Sequence, residues 1–493
     1  MARRVIWWVR RDLRLDDLPV LQKASGADAL LPVYIHAPGE EAPWEMGAAQ
    51  RWWLSKSLAS FGGSLASAGS RLVILEGEAA RTLVDLARRL GATEVVWSRR
   101  FEPAAIMQES RVEDGLERGG IAWHSYLSNH LCDPDDIATQ TGNPYQVYTP
   151  FARNVRGRAK PAMPKSAPRT LPPADGAPQG LAVASLGLEP TIDWAGGLDA
   201  MWRPGEIGAR ERLAAFTRGG LARYPVGRDE PASDGSSRLS AHLAFGEIGI
   251  RRMWHSAAEA DAPAESIDKF HAELLWREFA THVLVHFKHT DLRPLRPEFA
   301  RFPWRDDAAA LRAWRRGRTG YPLVDAGMRQ LWKTGWMHNR VRMVVASFLV
   351  KHLLLPWQDG ARWFWDTLVD ADLASNTLGW QWAAGCGADA APYFRIFNPT
   401  SQAEKFDADA AYIKRWVPEL ARVPADHAIA PWDAPPLLLA SAGVNLGVDY
   451  PRPIVEHAKA RERALAALAA VSGKVSSRAA GKAAGDPTDG APA

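Results

Sequence analysis

The amino-acid sequence predicts two unlike halves. The first is an α/β N-terminal domain on a doubly wound, Rossmann-like parallel sheet, and the second is an all-α C-terminal domain. Three observations carry this. Short apolar runs alternate with amphipathic stretches over the first 130 residues. Seven prolines interrupt positions 160–190. From position 205 to about 470 the apolar spacing is helical.

Strands are expected at Val5–Val9, Leu30–Ile35, Leu72–Glu76, Val95–Ser98 and Ala122–Ser125, with helical patterns such as Gln50–Ser60 and Ala79–Leu90 between them. Strands alternating with helices read as a parallel sheet. No GxGxxG follows the first strand, and no P-loop is present, so neither common nucleotide fingerprint applies. Residues 131–204 read as an interdomain connector laid over the surface, because proline breaks both helix and ladder. In the second half, Phe270–Val285 carries apolar residues at 270, 274, 275, 279, 283 and 284, close to a 3.6 period. Met337–Leu354 follows Gly335 in the same way. The segment 471–493 is low in complexity and is expected to be a disordered tail.

Composition narrows the function. Of 493 residues 47% are hydrophobic, which excludes overall disorder. Two cysteines, Cys132 and Cys386, exclude a disulfide framework and a four-cysteine zinc site, and they fit a reducing cytoplasm. The apolar run Val5–Val9 is too short and too closely flanked by arginine for a signal peptide. Arg342, Lys351 and His352 interrupt the most apolar stretch, Val341–Pro356, so no membrane span is expected. A net charge of +4 permits a polyanionic partner without requiring one. Tryptophan is abundant, at 22 residues.

Two apparent metal motifs fail. His271-x-Glu273 lacks a following P-C-x-x-C, and Asp370-x-Asp372 lacks the next ligand and the glycine of a calcium loop, so no metal is expected. Gly235 to Ser240 brings serines and Arg238 before an apolar helical run. That suits a phosphate, although an ordinary helix cap accounts for it equally well. Glu273 and Arg277 are spaced i,i+4 beside Trp276. They make either a surface ion pair or a base-reading, base-stacking group. Asn339, Arg342 and Met343 share one face of an otherwise apolar helix, as a structural network or a ligand site. Asp370, Asp372, Asn376, Trp380 and Trp382 crowd thirteen residues in apolar surroundings; buried acids there need partners such as Arg342 or Arg277.

The runs TGYPLVDAGMRQLWKTGWMHNRVRM (319–343) and DADLASNTLGWQWAAGCGADAAPYFRIFNP (370–399) resemble the DNA photolyase/cryptochrome family. So do RRDLRLDD, SSRLSAHLAFGE and ELLWREF, in the family's order, over about residues 3–465. The resemblance implies an antenna domain at 1–130 and, at 205–470, a helical domain that binds FAD and the DNA lesion. Residues matching the family's FAD contacts are Tyr224, Ser236, Ser237, Arg238, Leu239, Ser240, Phe270, Arg277, Asn339, Arg342, Asp370, Ala371, Asp372 and Asn376. Phe270 stands where some relatives have Trp. Asp372 is expected to pair with Arg342.

Asn376 matches repair enzymes, whereas plant photoreceptors resemble it with Asp and animal ones with Cys. Met343 matches enzymes acting on cyclobutane pyrimidine dimers, of the class I-like or a related bacterial class. The implied reaction is light-driven: excited FADH⁻ gives an electron to a flipped-out dimer, the ring splits, and the electron returns. Glu273, Trp276, Asn339, Met343, Asn376 and Trp382 are the implied catalytic residues. Glu273, Trp276, Arg277, Asn339, Arg340, Trp382, Arg395 and Gln402 are the implied DNA contacts. Trp380, Trp357 and Trp304 match the family's electron-transfer chain.

Ala105 stands where some folate-binding relatives place Glu, which weakens that folate site, but GWQWAAGCGADAAPYFRIFNP resembles a bacterial branch that binds methenyltetrahydrofolate against aromatic residues elsewhere. The antenna is therefore expected to be methenyltetrahydrofolate, with deazaflavin or none as alternatives. The implied partner is DNA containing pyrimidine dimers, met by a monomer in the cytoplasm. A blue-light photoreceptor on the same fold, and a flavoprotein that binds DNA without repairing it, are the competing readings.

Overall fold

The computed structural model describes residues 2–158, 161–390 and 394–472. The expected tail lies outside them beyond Ser472.

Five strands, β1 (Arg4–Val9), β2 (Ala29–His36), β3 (Val73–Glu76), β4 (Glu94–Ser98) and β5 (Ala122–Tyr126), form one sheet in the order β3-β2-β1-β4-β5. All pairings are parallel, with Val5 opposite Leu30 and Ile6 opposite Val95. Alternation along β1 shows why the run is apolar throughout. Val5, Trp7 and Val9 enter one core with Trp52, Trp53 and Phe61 of helix α1 (Ala48–Ser67). Ile6 and Trp8 enter the other, with Leu83 of α2 (Ala79–Leu90) and Val112 of α3 (Pro103–Arg118). A sheet covered on both faces buries both sets of side chains.

The proline-rich stretch departs from the surface connector expected. Leu171, Leu186 and Leu188 are buried in the α1-side core. Its backbone also ties to the α/β part, with Leu171 N–H donating to the Ala68 carbonyl at 2.8 Å and Leu181 N–H to Ile74 at 2.8 Å. Proline removes donors but leaves carbonyls, and Pro173 accepts from Leu30 N–H at 3.1 Å. The expected connector also hides a helix, α4 (Tyr148–Arg158), whose Phe151 and Val155 belong to the large helical core.

That helical core is built from α5 (Ala264–His286), α6 (Pro322–Thr334), α7 (Asn339–Ser347), α8 (Trp357–Thr367), α9 (Leu373–Ala384) and α10 (His457–Ser472). A π-turn, Phe348–His352, continues α7. The RRDLRLDD run joins the halves. Buried Arg14 donates to the carbonyls of Gly246 and Ser128, each at 2.8 Å, and to the side chain of Asn129 at 2.7 Å. Asp16 and Asp17 meet Arg252 and Arg251 at 2.9 and 2.7 Å. Among the described residues no helix is long and apolar enough to cross a membrane, and no acid, His or Cys cluster could hold a metal.

Candidate functional site

One cavity in the helical part gathers residues that lie far apart in sequence. Its wall includes all fourteen residues matched to FAD contacts, from Tyr224 to Asn376, together with Glu273, Met343, Trp380 and Trp382. Trp276, Arg340, Arg395, Gln402, Trp357 and Trp304 are not part of that wall.

The serine–arginine segment owes its shape to a residue that the motif does not contain. Arg212 donates to the carbonyls of Ser237 at 2.7 Å and Ser236 at 2.9 Å. Two carbonyls of the segment are thereby used, and its hydroxyls and the Arg238 guanidinium remain as donors on the cavity wall. Arg238 sits at φ 53°, pairs with Asp234 at 3.0 Å and lies over the Trp336 ring. The helix that follows, Ser240–Ala244, has only five residues, so the donor character is local rather than a helix-dipole effect.

Asp370 ties the segment to the rest of the cavity wall. Its Oδ2 accepts from Ser240 Oγ at 2.6 Å and from the Arg342 guanidinium at 2.7 Å. Its Oδ1 is buried without a partner. This corrects the pairing expected for Asp372. Asp372 is the N-cap of α9 and accepts from Ser375 N–H at 2.8 Å, so its carboxylate is turned into its own helix end. Nor does Arg277 pair with Glu273: it donates to the Asn129 carbonyl at 2.7 Å. Glu273 instead meets Arg228 at 3.0 Å, with both side chains only 11% exposed. Asn376 Nδ2 donates to the Ala361 carbonyl at 3.0 Å, which leaves its oxygen and second N–H to the cavity.

His338 sits in the same wall and was not singled out by sequence. Its Nδ1 caps α7 by accepting from Arg340 N–H at 3.2 Å, and its Nε2 is buried without a partner. Burial, with Arg340, Arg228, Arg238 and Arg342 nearby, pushes its pKa down to about 3. The ring is therefore neutral, and with Nδ1 accepting, Nε2 carries the proton as a free donor. Arg228 was likewise missed, since its role depends on a partner in a different helix.

The residues matched to lesion and DNA contacts divide: Glu273, Arg277, Asn339, Met343 and Trp382 line the cavity, whereas Trp276, Arg340, Arg395 and Gln402 lie outside its wall. Met343, one turn after Asn339, packs with Phe397 and Trp382. Trp276 is 4% exposed and stacked on Tyr148. Arg340 is held by Asp229 at 2.7 Å, and Gln402 is buried. The Arg395 guanidinium lies over Phe397, and its backbone carbonyl accepts from buried Lys351 in the π-turn. Of the three tryptophans matched to electron transfer, Trp380 on α9 lies against Gly360 of α8. A Cβ at Gly360 would come within 2.0 Å of that ring, so only glycine admits the contact. Trp357 starts α8 and is fully buried, while half-buried Trp304 leans on Phe302 at 4.4 Å.

The cavity fits FAD in its chemistry: a donor-rich segment for a pyrophosphate, an orphan acceptor at Asp370 Oδ1 and an orphan donor at His338 Nε2 for a polar ring edge. Comparison with known proteins agrees. The family model described as the FAD binding domain of DNA photolyase matches residues 270–470, and the DNA photolyase model matches 5–170. A deoxyribodipyrimidine photo-lyase of Agrobacterium fabrum is 47% identical, over 95% of this chain and 98% of its own. Cryptochrome-1 of Arabidopsis thaliana is 37% identical, over 92% and 69%. The crystal structure of a bacterial class III photolyase from Agrobacterium tumefaciens superposes with a TM-score of 0.93 at 46% identity, covering 96% and 98% of the two chains. This chain belongs to the DNA photolyase/cryptochrome family.

Proposed function

We propose that the protein is a light-dependent deoxyribodipyrimidine photo-lyase that splits cyclobutane pyrimidine dimers in DNA. One observation carries the reading. Residues of cofactor type (Asp370, Arg342, Asn376) and of lesion type (Glu273, Met343, Trp382) line the same cavity. When bound, reduced FAD supplies the photoexcited electron. The chain's own residues hold, orient and shield. Asp370 and Arg342 fix the polar wall, Ser236 to Ser240 supply donors for a pyrophosphate, and Asn376 offers an amide that gives up no proton. Glu273 is placed to accept from a pyrimidine N–H and to stabilise charge in a water-poor site. Trp382, on the cavity wall, and Trp276, outside that wall and 4% exposed, are read as the apolar walls for the extruded dimer, which is already poorly stacked and so costs less to flip. Asn339, Arg340, Arg395 and Gln402 are read as its DNA contacts. Trp380, Trp357 and Trp304 are read as the path that reduces the flavin.

For the antenna we favour methenyltetrahydrofolate. Exposed Trp332 lies parallel to Trp363, with ring centroids 6.1 Å apart and 6° between planes, and Arg315 lies over Trp363. Two parallel indoles and a cation suit a flat, anionic pterin conjugate. The cavity around Ala105 is lined by Glu40, Glu41 and Glu102 together with Arg11 and Arg100, and Arg100 is already paired with Glu41 and Glu102. The same reading takes residues 1–130 as the antenna domain, 131–204 as connector and 205–470 as the FAD and lesion domain. It takes the protein as a cytoplasmic monomer.

Oligonucleotides carrying either a cyclobutane dimer or a (6-4) product, illuminated with the reduced protein, test the substrate class. Restoration of the first alone is expected, and restoration of the second alone overturns the assignment. A photoreceptor reading gains weight from the Arabidopsis Cryptochrome-1 likeness, and illumination that restores neither lesion would favour it.

A further inference from the structure

Trp276 is held in an unusual way. Its ring and that of Tyr148 overlap face to face, with centroids 3.7 Å apart and planes within 6°. Aromatic pairs ordinarily prefer offset or edge-on contacts at larger separation, because face-to-face quadrupoles repel. Something must therefore impose the overlap, and Tyr148 is anchored at both ends. Its hydroxyl donates to the Ala272 carbonyl at 2.9 Å, at the start of the helical turn that carries Trp276. Its backbone N–H donates to Asp389 Oδ1 at 3.1 Å, and Asp389 N–H returns a bond to the Gln146 carbonyl at 2.9 Å. Asp389, at φ 51°, follows the helix that bears Trp382. Tyr148 thus bridges the helix that carries Trp276 and the segment that follows the helix of Trp382.

We infer that Tyr148 is a positioning residue for the lesion wall. It clamps the Trp276 indole in one plane before DNA arrives, and ties that plane to the segment following Trp382. The inference rests on the reading of Trp276 as a lesion wall. A wall fixed in advance spares the ordering cost on binding, so the gain appears in recognition of the dimer.

The test measures dissociation constants of the FAD-loaded protein for an oligonucleotide with one cyclobutane thymine dimer and for its undamaged counterpart. Tyr148→Leu is expected to weaken dimer binding about 10-fold, the scale of freeing one aromatic side chain. Affinity for undamaged DNA, flavin absorbance and repair yield at saturating dimer stay as in the wild type. Tyr148→Phe keeps the stack and loses the hydroxyl anchor, and is expected to cost about 3-fold. On a Trp276→Ala background, Tyr148→Leu should cost nothing more, because both changes act through one ring. Unchanged or tighter dimer binding by Tyr148→Leu overturns the proposal, and so does an additive loss on that background. Should Tyr148→Leu lose its flavin, Tyr148→Phe decides: weaker dimer binding supports the clamp and wild-type binding overturns it. Trp276→Ala alone separates the two layers. Full dimer affinity there removes the wall reading and the clamp with it. Weakened affinity alongside a normal Tyr148→Leu removes only the clamp.

Discussion

Arg342 donates to Asp370 across 2.7 Å, and Ser240 reaches the same carboxylate oxygen at 2.6 Å, so one acid joins three segments of the cavity wall. The Asp370 side chain is 2% exposed and Arg342 19%, which makes this a partly desolvated pair rather than a surface one. Removing one partner of such a pair leaves a charge uncompensated. Asp370→Ala is expected to cost about 3 kcal/mol of stability by denaturant unfolding. It should also strip the purified protein of its yellow flavin absorbance. Wild-type flavin content would remove Asp370 from the cofactor wall.

Glu273 faces Arg228 at 3.0 Å, so its carboxylate is oriented in the absence of DNA. Glu273→Ala should keep FAD and lower the repair quantum yield several-fold, because splitting loses charge stabilisation and the electron returns unproductively more often. An unchanged yield at saturating dimer would end the role given to Glu273.

Trp357 is fully buried in α8, the helix against which Trp380 packs. Trp357→Phe keeps an aromatic ring but raises the cost of forming a radical cation. Photoreduction of oxidised flavin should slow by more than an order of magnitude, with repair by chemically reduced protein unaffected. Photoreduction at the wild-type rate would refute the chain.

The neutral His338 cap makes stability pH-dependent. Burial, with four arginines nearby, holds its folded pKa at about 3, against an ordinary 6.5. Between those values the unfolded chain binds a proton that the native state does not, so stability falls as pH falls. From pH 6.5 to 5 the loss from this group is about 2 kcal/mol. His338→Asn keeps a capping acceptor without the titration. It should flatten that slope in denaturant midpoints, and an identical slope in the variant would contradict the assignment.

Much of the fold is legible in sequence because β1 to β4 are bounded apolar runs and Phe270–Val285 keeps a helical period. The packing of the connector is not legible for a physical reason: its prolines mark it as irregular, yet Leu171, Leu186 and Leu188 still pack inward and its carbonyls still accept. At the site, the motifs delivered the residues of the cavity but not their partners. Asp370 and Asp372 are two residues apart, and a cap signal before an apolar helical run, Asp372 then Ser375, was present and could have told them apart. No local pattern marks Arg228, Arg212 or Tyr148, because each acts on a group brought close only by folding.

Direct detection of monomeric thymines from a dimer-bearing oligonucleotide tests the central claim, with chemically reduced protein compared under blue light and in the dark. The account expects thymines to appear in the light alone, in repeated turnovers. A protein that holds reduced FAD and binds the dimer, yet releases no thymines under illumination, would contradict it.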